Sequence, residues 1–547
     1  MLTYALDRDA GLPLQGQLYQ CIRADIEAAA LGAGERLPSK RALAQHLGVS
    51  VVTVEAAYRQ LVAEGYVESR PRSGYYAAEL PQPAPAHAAH RPAAPSPAPA
   101  SGRALPPHAP SAPSAGCASA PPAVDLAGAT PAVGRFPYAS WARTIRQVLA
   151  DESERSLLAA SGPRGSLALR QAIASHLHGF RGMDVAPDQI VVAAGAQTLY
   201  HLLVQLLGRH RRFAVETPGY PRLAATYRAE GVDVAPVALD ASGPSVAALR
   251  ASGASVLHCM PSHQFPTGLV TSAPRRFELL GWAREEPGRY LVEDDYDCEF
   301  RMAGRPVPSL QGVDADERVI YLNTFTKSLG SAFRIGYMVL PPHLSQAFDC
   351  DLAFHACTVG ALEQAALARF IASGDYERHV NRTRTRARRV QDALVEALRA
   401  VSGDRLALEH VGAGLHFVLR VDGLGDASGG EGADLPWPGT RRTAPTAAQA
   451  RFLEAVRARG VRLAPLSDYD VAAVLPAAGL AEAGVEASGS PSAASAPTRA
   501  IDVESQPHAP ASCEEASLGC FLVAFGSLEL EDVARVAEAV GEGLRVI

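Results

Sequence analysis

At 547 residues the chain is longer than one compact core accommodates, so two or more domains are expected. Apolar residues make up 48% and charged residues 20%, as in a globular protein, and the net charge of −6 excludes a global basic field, so any nucleic-acid surface has to be local. No apolar run is long enough to cross a bilayer, MLTYALDRDA lacks a signal-peptide pattern, and the eight cysteines form no CxxC pair; the expectation is a cytoplasmic protein with reduced thiols, no membrane segment and no metal site.

Residues 1–78 read as three short helices and a hairpin. Pro13 precedes Leu14, Leu18, Ile22 and Ile26, whose four-residue spacing marks one face of a helix. Ser39 is placed to cap a second helix, Lys40 to Leu47, and Gly48-Val49 makes the turn. Ser50 caps a third helix with Val54, Tyr58 and Leu61 inside, ended by Gly65. YVES and GYYAA flank RPRSG as a β-hairpin. The sum is a winged helix-turn-helix whose helix starts carry Ser39, Lys40, Arg41, Ser50 and Thr53 and whose wing carries Arg70 and Arg72, groups suited to phosphates. The competing reading is a three-helix protein-interaction module.

Residues 79–123 are dominated by Pro and Ala, cannot bury a core, and make a semi-rigid spacer. From 124 onward short apolar strands alternate with helices, which implies a mainly parallel sheet covered on both faces. QIVVAAGAQTLYHLLVQLL is a strand broken at Gly195 and followed by a helix from about Ala196, whose free amides can meet an anion. FAVETPGYPRL and VLHCMPSHQFPTG follow as strands running into loops. LVEDDYDCEFR ends a strand on Glu293, Asp294, Asp295 and Tyr296, and Val319 to Leu322 is a further buried strand.

After that strand comes Lys327. The chain holds 51 Lys plus Arg, and only Lys40 and Lys327 are lysines. A surface charge is served equally by arginine, but a Schiff base is not, because guanidinium does not lose its proton to become a nucleophilic amine. Thr324, Thr326, Ser328 and Arg334 surround Lys327 with phosphate donors, and a carboxylate and a tyrosine at the preceding strand end suit a pyridinium nitrogen and a ring hydroxyl. This is the equipment of a pyridoxal 5'-phosphate site.

DDYDCEFR and TFTKSLGSAFRIGY resemble the cofactor segment of MocR-type regulators, a subfamily of the GntR transcriptional regulators, and GERLPSKRALAQHLGVSVVTVEAAYRQLVAEGYVESRPRSGYY is similar to the GntR-type winged helix. The resemblance implies a multidomain protein: a winged helix-turn-helix (1–78), a Pro/Ala-rich linker (79–123), and an α/β fold-type I aminotransferase-like domain with a small C-terminal α+β subdomain (124–547). It implies Lys327 as the Schiff-base lysine, Asp294 on the ring nitrogen, Tyr296 on the ring oxygen and Tyr220 stacked on the ring. Gly195, Ala196, Gln197, Thr324, Thr326 and Arg334 are implied on the phosphate, and Arg222 on the acid group of an effector. Asp295 competes with Asp294, since neighbouring strand residues face opposite ways; motif position favours Asp294.

Three departures stand out. Val51 replaces an arginine common after the serine that opens the recognition helix. Phe265 replaces the Asn before PTG in ordinary aminotransferases, which leaves Tyr296 and His263 to meet the ring hydroxyl. Leu522 stands in the final strand where active α-aminotransferases place a carboxylate-clamping arginine. The segments at about 424–445 and 477–512 read as low-complexity inserts. The implied function is a homodimeric, operator-binding regulator that senses an amine, an amino acid or the cofactor itself through an aldimine on Lys327. The alternatives are an active aminotransferase with a fused DNA-binding head and a body that serves only as a dimerisation scaffold; the departures lean away from enzymatic turnover.

Overall fold

The computed structural model describes residues 4, 6, 13–28, 30–70, 73–78, 122–128, 136–302, 308–412, 414–424, 446–471 and 519–547. Arg72, the linker up to residue 121, and the inserts at 425–445 and 477–512 lie outside the described residues.

The head is built from helices Leu14–Glu27, Lys40–Leu47 and Val51–Ala63 and from the antiparallel hairpin Val67–Arg70 and Gly74–Ala77, in which Val67 faces Ala77. Leu18, Ile22, Leu43, Val54, Tyr58 and Leu61 are fully buried in its core, so the four-residue spacing read from the sequence is the buried face. Ser39 Oγ accepts from the Ala42 amide at 3.2 Å, and Ser50 Oγ accepts from the Thr53 amide at 3.1 Å, so both serines cap their helices. Gly48 takes a left-handed conformation (φ 65°) at the end of the second helix, which makes the sharp turn into the third possible. The third helix stops at Ala63, with Glu64 as its cap, two residues before the glycine expected to end it.

The body contains an eight-stranded sheet in the order Ile190–Ala193, Gly336–Val339, Val319–Thr324, Tyr290–Asp294, Val256–Cys259, Arg212–Thr217, Asp233–Asp240, Gly243–Pro244. The sheet is mainly parallel, but Gly336–Val339 runs antiparallel to both its neighbours and Gly243–Pro244 antiparallel to its one. Alternate residues enter different cores: Ile320 and Leu322 pack on one face, Tyr321 on the other. Burial on both faces explains why these strands read as continuous apolar runs. The C-terminal ends of Tyr290–Asp294 and Val319–Thr324 lie side by side, with Leu322 opposite Asp294.

A second, four-stranded antiparallel sheet orders Leu406–Glu409, His416–Val421, Cys520–Ala524 and Ala464–Pro465. The long helices Asp375–Ser402 and Leu530–Arg545 pack alongside, which makes the expected small α+β subdomain.

Head and body touch at the start of helix Ala273–Glu285. The amide of Ala273, first residue of helix Ala273–Glu285, donates to the Glu64 carbonyl at 2.8 Å, and Ala273 is part of the head's apolar core. The Glu64 side chain is buried at this joint and accepts from the Tyr19 hydroxyl and from Gln60 Nε2. Burial pushes its carboxyl up, while the Tyr19 and Gln60 hydrogen bonds and the nearby Arg301 and Arg276 guanidinium groups oppose that shift.

Candidate cofactor site

Helix Gly195–Leu207 starts where strand Ile190–Ala193 ends, and Gly195 has φ 79°. A Cβ at Gly195 would crowd the Arg334 guanidinium, 3.0 Å from its Cζ, and the positive φ itself favours glycine at this helix start. Arg334 itself is left-handed (φ 50°) and donates from Nη2 to the Ala194 carbonyl at 3.2 Å. The first-turn residues Ala196 and Gln197 point their orphan amides toward the same place, and both are at least partly open to water. A Cβ at Gly336 would touch Thr324 Cγ2 at 3.0 Å and Leu199 at 3.2 Å, which puts Thr324 against the same helix. Positive potential from the helix end and an arginine converge there, as an anion requires.

Thr326 and Lys327 form the first turn of the short helix Thr326–Leu329 that follows strand Val319–Thr324. Lys327 stays reachable by water, yet protein atoms crowd it. That crowding pushes its amine below the ordinary lysine value, against the pull of Asp297. Its Nζ lies 5.8 Å from the centre of the Tyr296 ring. The Tyr296 hydroxyl is 3.4 Å from His263 Nδ1, and burial, followed by Asp297 and Asp294, holds the phenol well above its usual range.

The two adjacent aspartates differ. Asp295 is ion-paired with the buried Arg181 and accepts from the Tyr321 hydroxyl at 2.8 Å. Asp294 Oδ2 accepts from the Tyr200 hydroxyl at 2.8 Å and lies 3.3 Å from His258 Nε2, whose other nitrogen is 2.7 Å from the Tyr227 hydroxyl. One carboxylate is thus paired with an arginine, while the other is held by a tyrosine hydroxyl and an imidazole.

Around Tyr296 the packing is aromatic. Phe265 packs edge-on against Tyr220 (5.9 Å), Tyr296 (6.4 Å) and Tyr469 (5.2 Å). Leu522 is fully buried in a cluster with Val418, Leu466 and Cys520, and Phe265 and Tyr469 pack on that cluster. The position where a carboxylate clamp was sought is thus apolar and packed in an apolar cluster. Arg222 is exposed on helix Pro221–Ala229, two residues beyond Tyr220.

In the head, Lys40 Nζ is bonded to Glu55 at 2.9 Å, and Arg70 pairs with Glu68 at 3.0 Å and lies 4.4 Å over the Tyr76 ring. Arg41 is exposed at the start of the second helix. Val51 and Val52 are exposed at the start of the third, where Val52 is 72% accessible.

Two families match this chain. The one described as "Bacterial regulatory proteins, gntR family" matches residues 14–76, and "Aminotransferase class I and II" matches residues 131–455. The chain is 36% identical over 420 residues to the HTH-type transcriptional regulator YhdI of Bacillus subtilis (strain 168), covering 77% of this chain and 86% of that one. It is 35% identical to the probable rhizopine catabolism regulatory protein MocR of Rhizobium meliloti, over 76% of this chain and 83% of that protein. The protein belongs to the MocR-type GntR regulators.

A MocR-type chain is a DNA-binding transcriptional regulator with an aminotransferase-like body. The body's fold is shared with the multiple substrate aminotransferase of Thermococcus profundus (TM-score 0.58, 21% identity, 79% of this chain and 94% of that one). Another relative, the pyridoxine biosynthesis transcriptional regulator PdxR of Corynebacterium glutamicum, is 31% identical over 77% of this chain and 86% of its own. Among the described residues of this MocR-type regulator, no helix is long and apolar enough to cross a membrane.

Sequence reasoning missed several residues that shape the site. Tyr200 and His258 hold Asp294, Arg181 occupies Asp295, and Thr358 Oγ1 accepts from the Ala194 amide at 2.8 Å. Each lies far along the chain from its partner and has no spacing signature. The one available hint was a polar residue inside an apolar run, as Tyr200 is in TLYHLLVQLL.

Proposed function

We propose that the body of this regulator holds pyridoxal 5'-phosphate on Lys327 and senses an amine, an amino acid or the cofactor itself. The observation that carries the reading is Lys327: one of two lysines in an arginine-rich chain, crowded so that its amine sheds its proton more easily. The donor set fits the cofactor. Gly195, Ala196, Gln197, Thr324, Thr326 and Arg334 offer amides, hydroxyls and a guanidinium to its phosphate, and the Gly195 backbone leaves room that a Cβ would fill. Asp294 offers a carboxylate to the ring nitrogen, Tyr296 a hydroxyl to the ring oxygen, and Tyr220 an aromatic face. When bound, the cofactor supplies an aldehyde with which amines condense.

The apolar packing of Phe265, Tyr469 and Leu522 gives an α-carboxylate no fork to grip, which favours sensing over turnover. Arg222 is the candidate partner for an acid group on the effector. The signal has a short route to the head. Glu293, next to Asp294, accepts from the Leu310 and Gln311 amides and lies 4.0 Å from Arg276, on the helix whose first amide holds Glu64. A change at the Asp294 strand end biases that joint and so the placement of the heads. The protein works in the cytoplasm as a homodimer, because paired heads read paired half-sites. Ser39, Lys40, Arg41, Ser50, Thr53, Arg70 and Arg72 face the operator.

A gel-shift titration of operator DNA, with and without cofactor and a panel of amines, tests this. The wild-type complex changes affinity or mobility with cofactor plus effector, and Lys327→Ala abolishes the change. A response that survives in Lys327→Ala contradicts the reading.

A further inference from the structure

Three residues from separate segments meet beside the candidate cofactor site. His263 lies in the loop after strand Val256–Cys259, Asp297 just past strand Tyr290–Asp294, and His416 at the start of strand His416–Val421. All three are buried, with exposures of 2%, 2% and 4%. His263 Nδ1 is 2.8 Å from Asp297 Oδ2, and the two imidazole rings lie 4.1 Å apart, centre to centre. One donor atom from each residue can be chosen so that all three lie within 4.8 Å of one another.

One feature points to a ligand rather than to a closed hydrogen-bond cluster, and a second shows how closely the backbone packs on the group. The Nε2 atoms of both His263 and His416 are buried and have no hydrogen-bond partner, an arrangement that proteins rarely leave standing. Gly414 also packs against the group: a Cβ there would lie 2.2 Å from His263 Nδ1 and 2.6 Å from Asp297 Oδ2, so the backbone is brought closer than any other residue permits.

We propose that His263, Asp297 and His416 bind one divalent first-row transition-metal ion of the zinc or cobalt class. Two imidazoles and one carboxylate are the donors such ions select over calcium or magnesium, which prefer all-oxygen sets. Three protein ligands leave a coordination position for an outside donor. The site adjoins Tyr296 and Phe265, so an ion there places positive charge near the apolar cluster where Leu522 supplies none. No spacing motif announces it, since His263 and Asp297 are 34 residues apart. The proposal does not depend on the cofactor reading: it stands or falls on metal binding alone.

The test uses the purified full chain, stripped with a chelator and titrated with Co2+ while visible absorption is followed. One equivalent binds and gives the intense ligand-field bands of a low-coordinate site. His263→Gln and His416→Gln each weaken binding at least about ten-fold while circular dichroism and melting match the parent. X-ray absorption on the Zn2+-loaded parent needs no variant and shows imidazole nitrogens at about 2.0–2.1 Å. The proposal is overturned if no Co2+ binds, if both variants bind as the parent does, or if the zinc shell shows sulfur at about 2.3 Å.

Discussion

The head and the body of this protein each hold one lysine, and the two sit in opposite surroundings. In the head, the hydrogen bond from Lys40 to Glu55 holds the ammonium above its ordinary value. In the body, crowding pushes the Lys327 amine below it, with Asp297 only partly opposing. A group that meets phosphates benefits from a permanent charge; one that attacks an aldehyde benefits from losing it. Arginine could replace the first without chemical loss but not the second. A related contrast runs through the adjacent aspartates, where an arginine, Arg181, pairs with Asp295 while Tyr200 and His258 hold Asp294.

The sharpest way to break the comparison is to exchange the roles. Lys327→Arg keeps the charge and removes the nucleophile, so effector-dependent gel shifts vanish entirely while basal operator binding stays. Lys40→Arg leaves the effector response whole. A Lys327→Arg protein that still responds would erase the distinction.

Arg334→Ala comes next. Losing a charge-assisted contact of about 1.5–3 kcal/mol weakens retention of the cofactor roughly 10- to 100-fold, measured by dialysis and absorbance. An unchanged affinity would move the phosphate away from the Gly195 helix start.

Smaller effects separate stability from binding. Ser50→Ala removes the cap of the recognition helix and lowers head stability by about 1 kcal/mol in denaturant melts. Arg41→Ala lowers operator affinity across all sequences and reduces the slope of log K against log salt by about one.

A further effect is a pH slope. Burial pushes the Glu216 carboxyl up to about 8, with the Gln264 and Met260 amides opposing and Asp294 adding to the rise. The folded protein therefore keeps a proton that the unfolded chain loses near its ordinary value of 4.5, and stability declines as pH rises across that window. Glu216→Gln makes melting temperature less dependent on pH over this range. Glu293 and Glu299, pushed up to about 7 by burial, leave a residual slope.

Much of the fold was legible in the sequence because its signals are local. The caps at Ser39 and Ser50, the four-residue spacing of Leu18, Ile22 and Ile26, and the unbroken apolar run at Val319 all depend on neighbours along the chain. The antiparallel insertion of Gly336–Val339 was not legible, since its apolar residues look the same in either direction. In the candidate site, Lys327, Asp294 and Tyr296 come from compact segments and could be singled out. Tyr200, His258, Arg181 and His416 meet their partners only through the tertiary fold. The apolar cluster was half legible: Leu522 was noticed, but its packing with Phe265 and Tyr469 depends on the second sheet.

The central claim concerns which amine carries the aldehyde. Borohydride reduction of the protein incubated with pyridoxal 5'-phosphate, followed by peptide mass mapping, fixes the adduct in place. The account predicts one phosphopyridoxyl group, on the peptide containing Lys327, and none on Lys40. An unmodified Lys327, or label confined to Lys40, would contradict it.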